Sequence, residues 1–256
     1  MKPQIKFIPV SSVAKDILPK PTPAQKSFPE WYKKQDKFAS GKTGTISRDG
    51  VIDATIKKCP AISDAMTMGY MLYFPVDIYI NTMGPKITWK LPPASNLLES
   101  PPQGMHGGKD FGVNTSIVAI HSGQQISNYP VDLDKYMEDV FKVHPHWVVR
   151  TKKGYSTMFI HPMHHELPFK IVPGIIDTDK YASNGAFSMF FERGFDGIIK
   201  AGTPLVQVIP FKREDFKMET SFNEEEIYKL KVDGASIRAF FTNGYRSLMW
   251  TKKTYN

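Results

Sequence analysis

The chain has 256 residues, 41% of them hydrophobic and 12% aromatic, enough for one substantial domain with extensions or two small ones and too apolar for a disordered chain. Its single cysteine, Cys59, excludes an internal disulfide and a multi-thiolate zinc site and agrees with a reducing cytosol. No apolar run approaches the roughly 18 residues of a bilayer span, and Met1-Lys-Pro-Gln-Ile-Lys-Phe7 lacks the apolar centre of a secretory signal, so neither membrane insertion nor export is expected. The formal charge is +8, and residues 1–43 hold nine lysines against Asp16, Glu30 and Asp36, a local excess of +6. Such a segment suits contact with nucleic-acid phosphates or an acidic protein surface, and suits equally a solubilising tail; no arginine-rich run or known nucleic-acid motif accompanies it.

Residues 1–50 read as a proline-rich basic arm. Pro3, Pro9, Pro19, Pro21, Pro23 and Pro29 forbid a long helix, while Phe7, Ile8, Val10, Ile17, Leu18 and Phe28 are too apolar for a free linker. The arm is therefore expected to lie across its own domain or a neighbouring subunit. Pro29 to Lys34 suits one helical turn opened by its proline. From Val51 the character becomes β. Met71 to Ile80 is aromatic and β-branched, Lys86 to Leu91 alternates with period two, and Ser116 to Ile120 does so in part. Residues 92–115 read as a long loop. A second β block follows in Trp147–Arg150, Tyr155–Ile160, Phe169–Val172, Ala186–Phe191, Gly197–Ile199 and Leu205–Ile209, and its short, evenly spaced strands imply a barrel or sandwich. At the far end Asn223 caps a helix whose first turn is Glu224, Glu225 and Glu226. That helix is expected to falter at Gly234 near Asp233 and resume toward Phe241. The segmentation that results is an arm over 1–50, a β domain over 51–216 and a helical extension over 217–256.

Four segments carry a family resemblance. Val172-Pro-Gly-Ile-Ile-Asp-Thr-Asp179 resembles the third motif of the dUTP pyrophosphatases (dUTPases), and Gly202-Thr-Pro-Leu-Val-Gln-Val-Ile209 resembles their fourth. Lys153-Gly-Tyr-Ser-Thr-Met-Phe-Ile-His-Pro162 is similar to the strand entering the second motif, and Asp64-Ala-Met-Thr-Met-Gly-Tyr-Met-Leu72 to the first. The resemblance implies a mainly β, dUTPase-like distorted barrel that associates as a homotrimer, and it names Asp177, Asp179 and Gln207 as the surviving site residues. The departures are chemical. Met71 stands where that family places a metal-binding acid, and it cannot hold Mg²⁺ or its waters. His161-Pro-Met-His164 replaces the Arg-Ser pair that positions phosphates, and the related dCTP deaminases need a basic, Ser-containing segment there too. Lys180 intervenes before Tyr181, Pro204 occupies a basic position, and Gly244-Tyr-Arg-Ser247 is no substitute for the glycine-rich flap. Phosphoryl transfer rests on positioning and charge neutralisation, so this combination implies a catalytically degenerate member, in which Gly174, Asp177 and Gly202 serve as turn and strand-end residues.

Phe28-Pro-Glu-Trp-Tyr-Lys33, Gly154-Tyr-Ser156, Gly174-Ile-Ile-Asp-Thr-Asp179 and Gly202 to Arg213 also resemble uncharacterised proteins of tailed bacteriophages, particularly those infecting marine cyanobacteria. The implied role is a non-catalytic viral protein in assembly or binding, in the virion or the host cytoplasm, with its own copies or other viral proteins as partners. The competing reading is an enzyme, acting either on deoxynucleotides or through a metal. For the metal, His144, His146, His161, His164, His165 and Glu166 gather within 23 residues, and imidazoles with a carboxylate suit a first-row divalent ion. In strands, His144 and His146 would share a face, as would His164 and Glu166. Pro145 and Pro162 oppose regular pairing there, and neither spacing is a specific metal signature. No cofactor is expected outside that alternative.

Overall fold

The computed structural model describes residues 4–41, 53–99, 116–121, 123–126, 128–181, 185–239 and 244–256. Fourteen strands are described: β1 (Ile5–Pro9), β2 (Thr22–Pro23), β3 (Tyr70–Tyr73), β4 (Ile78–Asn81), β5 (Thr88–Lys90), β6 (Val118–His121), β7 (Val140–Val143), β8 (Trp147–Thr151), β9 (Tyr155–Ile160), β10 (Phe169–Ile171), β11 (Gly174–Ile176), β12 (Phe187–Phe191), β13 (Asp196–Ile199) and β14 (Pro204–Lys212). The helices are α1 (Ser12–Ile17), α2 (Glu30–Lys34), α3 (Pro60–Thr67), α4 (Asn96–Glu99), α5 (Glu224–Ala239) and α6 (Gly244–Leu248). The protein is mainly β, in antiparallel sheets ordered β11-β9-β14-β3-β2, β10-β12-β7-β6, β13-β4-β5 and β1-β8. None of these sheets closes on itself into a barrel among the described residues. No described helix is long and apolar enough to cross a membrane.

The chain forms two compact units, divided differently from the expected segmentation. One comprises residues 1–23 and 69–213, the other residues 24–68 and 214–256. The arm is thus not one element; it divides after Pro23. Its first part enters the β unit as a strand, with β1 pairing antiparallel with β8 from Ile5↔Thr151 to Pro9↔Trp147. Val10 N–H donates to His146 O at 3.1 Å, and the Trp147 indole N–H donates to Pro19 O at 3.1 Å. Ala14 and Leu18 are buried in the core of this unit, whereas Ile8 and Ile17 remain 43% and 52% exposed.

Period-two patterning made most strands legible, and tertiary pairing trimmed them. The run from Met71 to Ile80 is two strands, β3 and β4, because Pro75 between them lacks the N–H a ladder needs. Strand β14 extends beyond the expected Leu205–Ile209 in both directions because it lies between β3 and β9. Residues 93–99 of the expected loop form helical turns, and 100–115 lie outside the described residues. The core of this unit is aromatic: Phe74, Phe169, Phe191 and Phe141 contact in sequence with centroids 5.3, 5.6 and 5.3 Å apart, all with 1% exposure or less. Such ring pairs add to the burial of their area.

The second unit is helical. The Phe28 and Tyr32 rings stack at 5.1 Å, and the Trp250 indole N–H donates to Asp64 at 2.8 Å, where Lys253 also binds at 2.7 Å. Asn223 Oδ1 accepts from Glu225 N and Glu226 N at 2.9 and 3.3 Å, the expected cap. Helix α5 then runs through Gly234 without a break, contrary to the expectation, since one helical glycine costs only about 1 kcal/mol. Phe241 lies outside the described residues.

Candidate functional site

The four family-like segments, scattered over 64–209 in sequence, supply four adjacent strands of one sheet. Strands β11, β9, β14 and β3 carry the third, second, fourth and first of them. In one row across this sheet Gln207 pairs with Met71 on one side and Ile160 on the other. Gln207 and Met71 are buried. The Gln207 amide oxygen accepts from Met163 N at 3.0 Å, pinning the loop after β9. This side chain is bound into the sheet rather than presented to a ligand.

Asp177 and Asp179 sit where β11 ends, beside the β8–β9 turn and the end of β14. Gly154 makes that turn at φ +88°, a conformation glycine adopts without a Cβ penalty. Its N–H donates to Asp179 Oδ2 at 2.8 Å. The residue after β14, Arg213, places its fork on Asp179 through Nη1 at 2.9 Å and Nη2 at 2.5 Å. Arg213 Nη1 also reaches Tyr155 O and Ser156 Oγ, each at 2.9 Å, and lies 3.2 Å from Asp177 Oδ1. Ser156 Oγ donates to Asp177 Oδ1 at 2.6 Å, and Lys180 Nζ lies 3.9 Å from its other oxygen. Two carboxylates therefore face two cations, a cluster without net charge.

Between the two aspartates Thr178 turns inward. Its hydroxyl contacts those of Thr151 and Thr157, both at 2.7 Å, and all three threonines are buried. Next to them lies a small apolar cleft of about 10 Å³, room for roughly one water, lined by Trp147, Val149, Phe159, Ile176, Tyr181 and Phe187 among others.

The electrostatics follow. The Arg213 hydrogen bonds hold the Asp179 carboxyl far below the usual carboxylate range. Asp177 is lowered chiefly by the Ser156 hydroxyl, with Arg213 and Lys180 adding to it. A carboxylate held ionised is a weak base toward water, because general-base catalysis is most efficient with a pKa near the working pH. The sequence singled out both aspartates; it missed Arg213 and Ser156 as their partners.

The histidines do not converge on strands. His144 and His146 occupy the β7–β8 connection, and His161, His164, His165 and Glu166 the β9–β10 connection. His146 adopts φ +59° and its Nδ1 lies 2.9 Å from His144 O. Burial, followed by the His146 and Lys142 charges, lowers His144 to about 4. His161 packs edge-on against Phe169 at 5.8 Å, with its Nε2 3.3 Å from His165 O. His164 is exposed at φ +61°, and Glu166 is exposed. Among the described residues no group of three or more His, Cys, Asp or Glu is placed to hold a metal ion. If these histidines serve structure, purified protein carries no stoichiometric Zn, Fe, Ni or Mn by elemental analysis; one equivalent per chain, lost on the double substitution His161→Ala, His164→Ala, would overturn that reading.

No protein-family model, curated protein or solved structure matches the chain.

Proposed function

We propose that the chain is a dUTPase-like β protein of a tailed bacteriophage that has kept the scaffold and given up the chemistry. It works as a homotrimer in assembly or binding, in the virion or the host cytoplasm, with other viral proteins as further partners. The distorted barrel belongs to this reading: the ladders are open, but the four family-like segments are four neighbouring strands in one sheet.

One observation carries the non-catalytic half. Arg213 and Lys180 neutralise Asp177 and Asp179 inside the chain, and the place of the metal-binding acid is a buried methionine within the same sheet. A nucleotide triphosphate brings several negative charges, and its hydrolysis needs a metal and free cations around them. Here Arg213 is already engaged by both aspartates. The expected result is no dUTP turnover with Mg²⁺ above a heat-inactivated control. Turnover abolished by Asp177→Asn would replace this reading with the deoxynucleotide enzyme.

A further inference from the structure

The two-stranded ladder of β1 and β8 turns a row of uncompensated cations to solvent. Its register sets Lys6 directly opposite Arg150, and both are exposed, while Val149 and Thr151 on either side of Arg150 are buried. Lys152 N–H donates to Gln4 O at 2.8 Å. This carries the alternation one row further and puts the exposed Lys152 on the face of Arg150. Lys153 follows, exposed, in the turn to β9. Residues 4–9 and 147–155 thus hold Lys6, Arg150, Lys152 and Lys153 and no acid. Among the described residues none of these four side chains has an ion-pair partner.

Folding alone does not call for this arrangement. Like charges directly opposite each other destabilise a ladder. One lysine is enough to deter stray pairing at an edge strand; the arginine across from it adds only repulsion. The acid that reaches this turn is already spent, since Asp179 accepts from Gly154 N but is secluded and bound by Arg213. Helix α1, packed against β1, carries Lys15 and Asp16 and adds no net charge. Regularity selects the occupant. Side chains on one strand face recur about every 6.6 Å, close to twice the roughly 3.4 Å rise per phosphate along one strand of a duplex. Arg150 and Lys152 therefore match alternate phosphates, and a guanidinium can take two phosphate oxygens at once. The face offers no aromatic ring for unpaired bases to stack on. Phe7 lies on the other face against Tyr70, and Trp147 is buried.

We propose that the solvent face of the β1–β8 ladder, with its Lys152–Lys153 turn, holds the phosphate backbone of double-stranded nucleic acid without reading its sequence. The inference goes beyond the assembly reading above and does not depend on it. Fluorescence anisotropy of the full chain with a labelled duplex DNA of mixed sequence tests it. Four phosphate contacts predict binding that weakens roughly 100-fold between about 50 and 200 mM salt. The triple variant Lys6→Gln, Arg150→Gln, Lys152→Gln is expected to keep the parent's far-UV spectrum, because all three sites are exposed. It should lower the slope of log affinity against log salt by about 3. Singly, Arg150→Gln and Lys152→Gln should each lower it by about 1, which keeps the test decisive if the triple variant is unstable. Lys26→Gln, Lys34→Gln, Lys37→Gln removes the same charge from exposed positions of the helical unit and is expected to keep the parent's slope. Equal losses in the two triple variants overturn the ladder as the site. A parent that leaves the duplex unbound at about 50 mM salt overturns the proposal outright. Polyglutamate that displaces the duplex at equal charge concentration overturns nucleic acid as the occupant and assigns the face to an acidic protein.

Discussion

Gly69→Ala is expected to lower stability by about 2–5 kcal/mol and the melting temperature by roughly 10 °C, with the β unit affected directly. Two costs combine. Gly69 precedes β3 at φ +74°, a left-handed conformation that costs a residue with a Cβ on the order of 1–2 kcal/mol. The second is collision: a Cβ there would lie 2.1 Å from Val208 O, 3.0 Å from Val208 C and 3.1 Å from Ile209 Cα. Those atoms are backbone in β14, the strand hydrogen-bonded to both β3 and β9, so neither partner can swing aside as a flexible side chain would. Overpacking of this kind costs typically 1–3 kcal/mol more. Gly194→Ala separates the two costs, because Gly194 has φ +76° and nothing within 4 Å of its Cβ position. It should show the conformational part alone. Equal denaturant midpoint shifts for the two variants would show that the contact with β14 is not what requires glycine at 69.

Local pattern made the strands legible; what joins them was not. Tyr155–Ile160 follows directly from aromatic and β-branched residues in a short run, and the structure returns those bounds. The Asn223 cap was legible because its chemistry lies within three residues. Strand β7 was missed: four residues, with Lys142 among them, give periodicity too little length. Helix α3 was missed although Pro60 stands at its start, because no side-chain cap announces it. Residues 1–23 and 24–50 look alike in sequence. The first part becomes a strand and a short helix only because β8, about 140 residues away, supplies the edge for β1. The candidate site divides the same way. Asp177 and Asp179 were visible through a motif, whereas Arg213 reaches them only because β14 pairs with β9 from Gln207↔Ile160 to Lys212↔Tyr155. That register brings residue 213 opposite the Gly154 turn, where its N–H donates to Gly154 O at 2.9 Å. No local rule contains a pairing between segments half a hundred residues apart.

Asp179→Asn is expected to lower the melting temperature at pH 7 by roughly 5–10 °C, and Arg213→Ala by at least as much. The Asp179 side chain is only 3% exposed and accepts from Arg213 twice and from Gly154 N once. Removing the arginine leaves a secluded carboxylate, while asparagine keeps an acceptor for the Gly154 N–H and loses the charge and one of the two oxygens that Arg213 binds. The arginine substitution is therefore the harsher of the two. Arg213 also clamps the end of β14 to Tyr155 O and Ser156 Oγ, so its loss frees the β8–β9 turn as well. The pH dependence has a definite sign. Asp179 titrates below its ordinary value in the folded chain, and an unfolded aspartate titrates near pH 3.9. Its contribution is then complete above about pH 4 and is lost as pH falls through the depressed native value. Asp177 shifts in the same direction and adds to the same acid limb. The parent should lose stability steeply below pH 4 and Asp179→Asn less so, so that the gap between their melting temperatures, widest at neutral pH, narrows in acid. Parallel curves down to pH 2.5 would show that the Arg213–Asp179 pair is not what holds the ends of β9, β11 and β14 together.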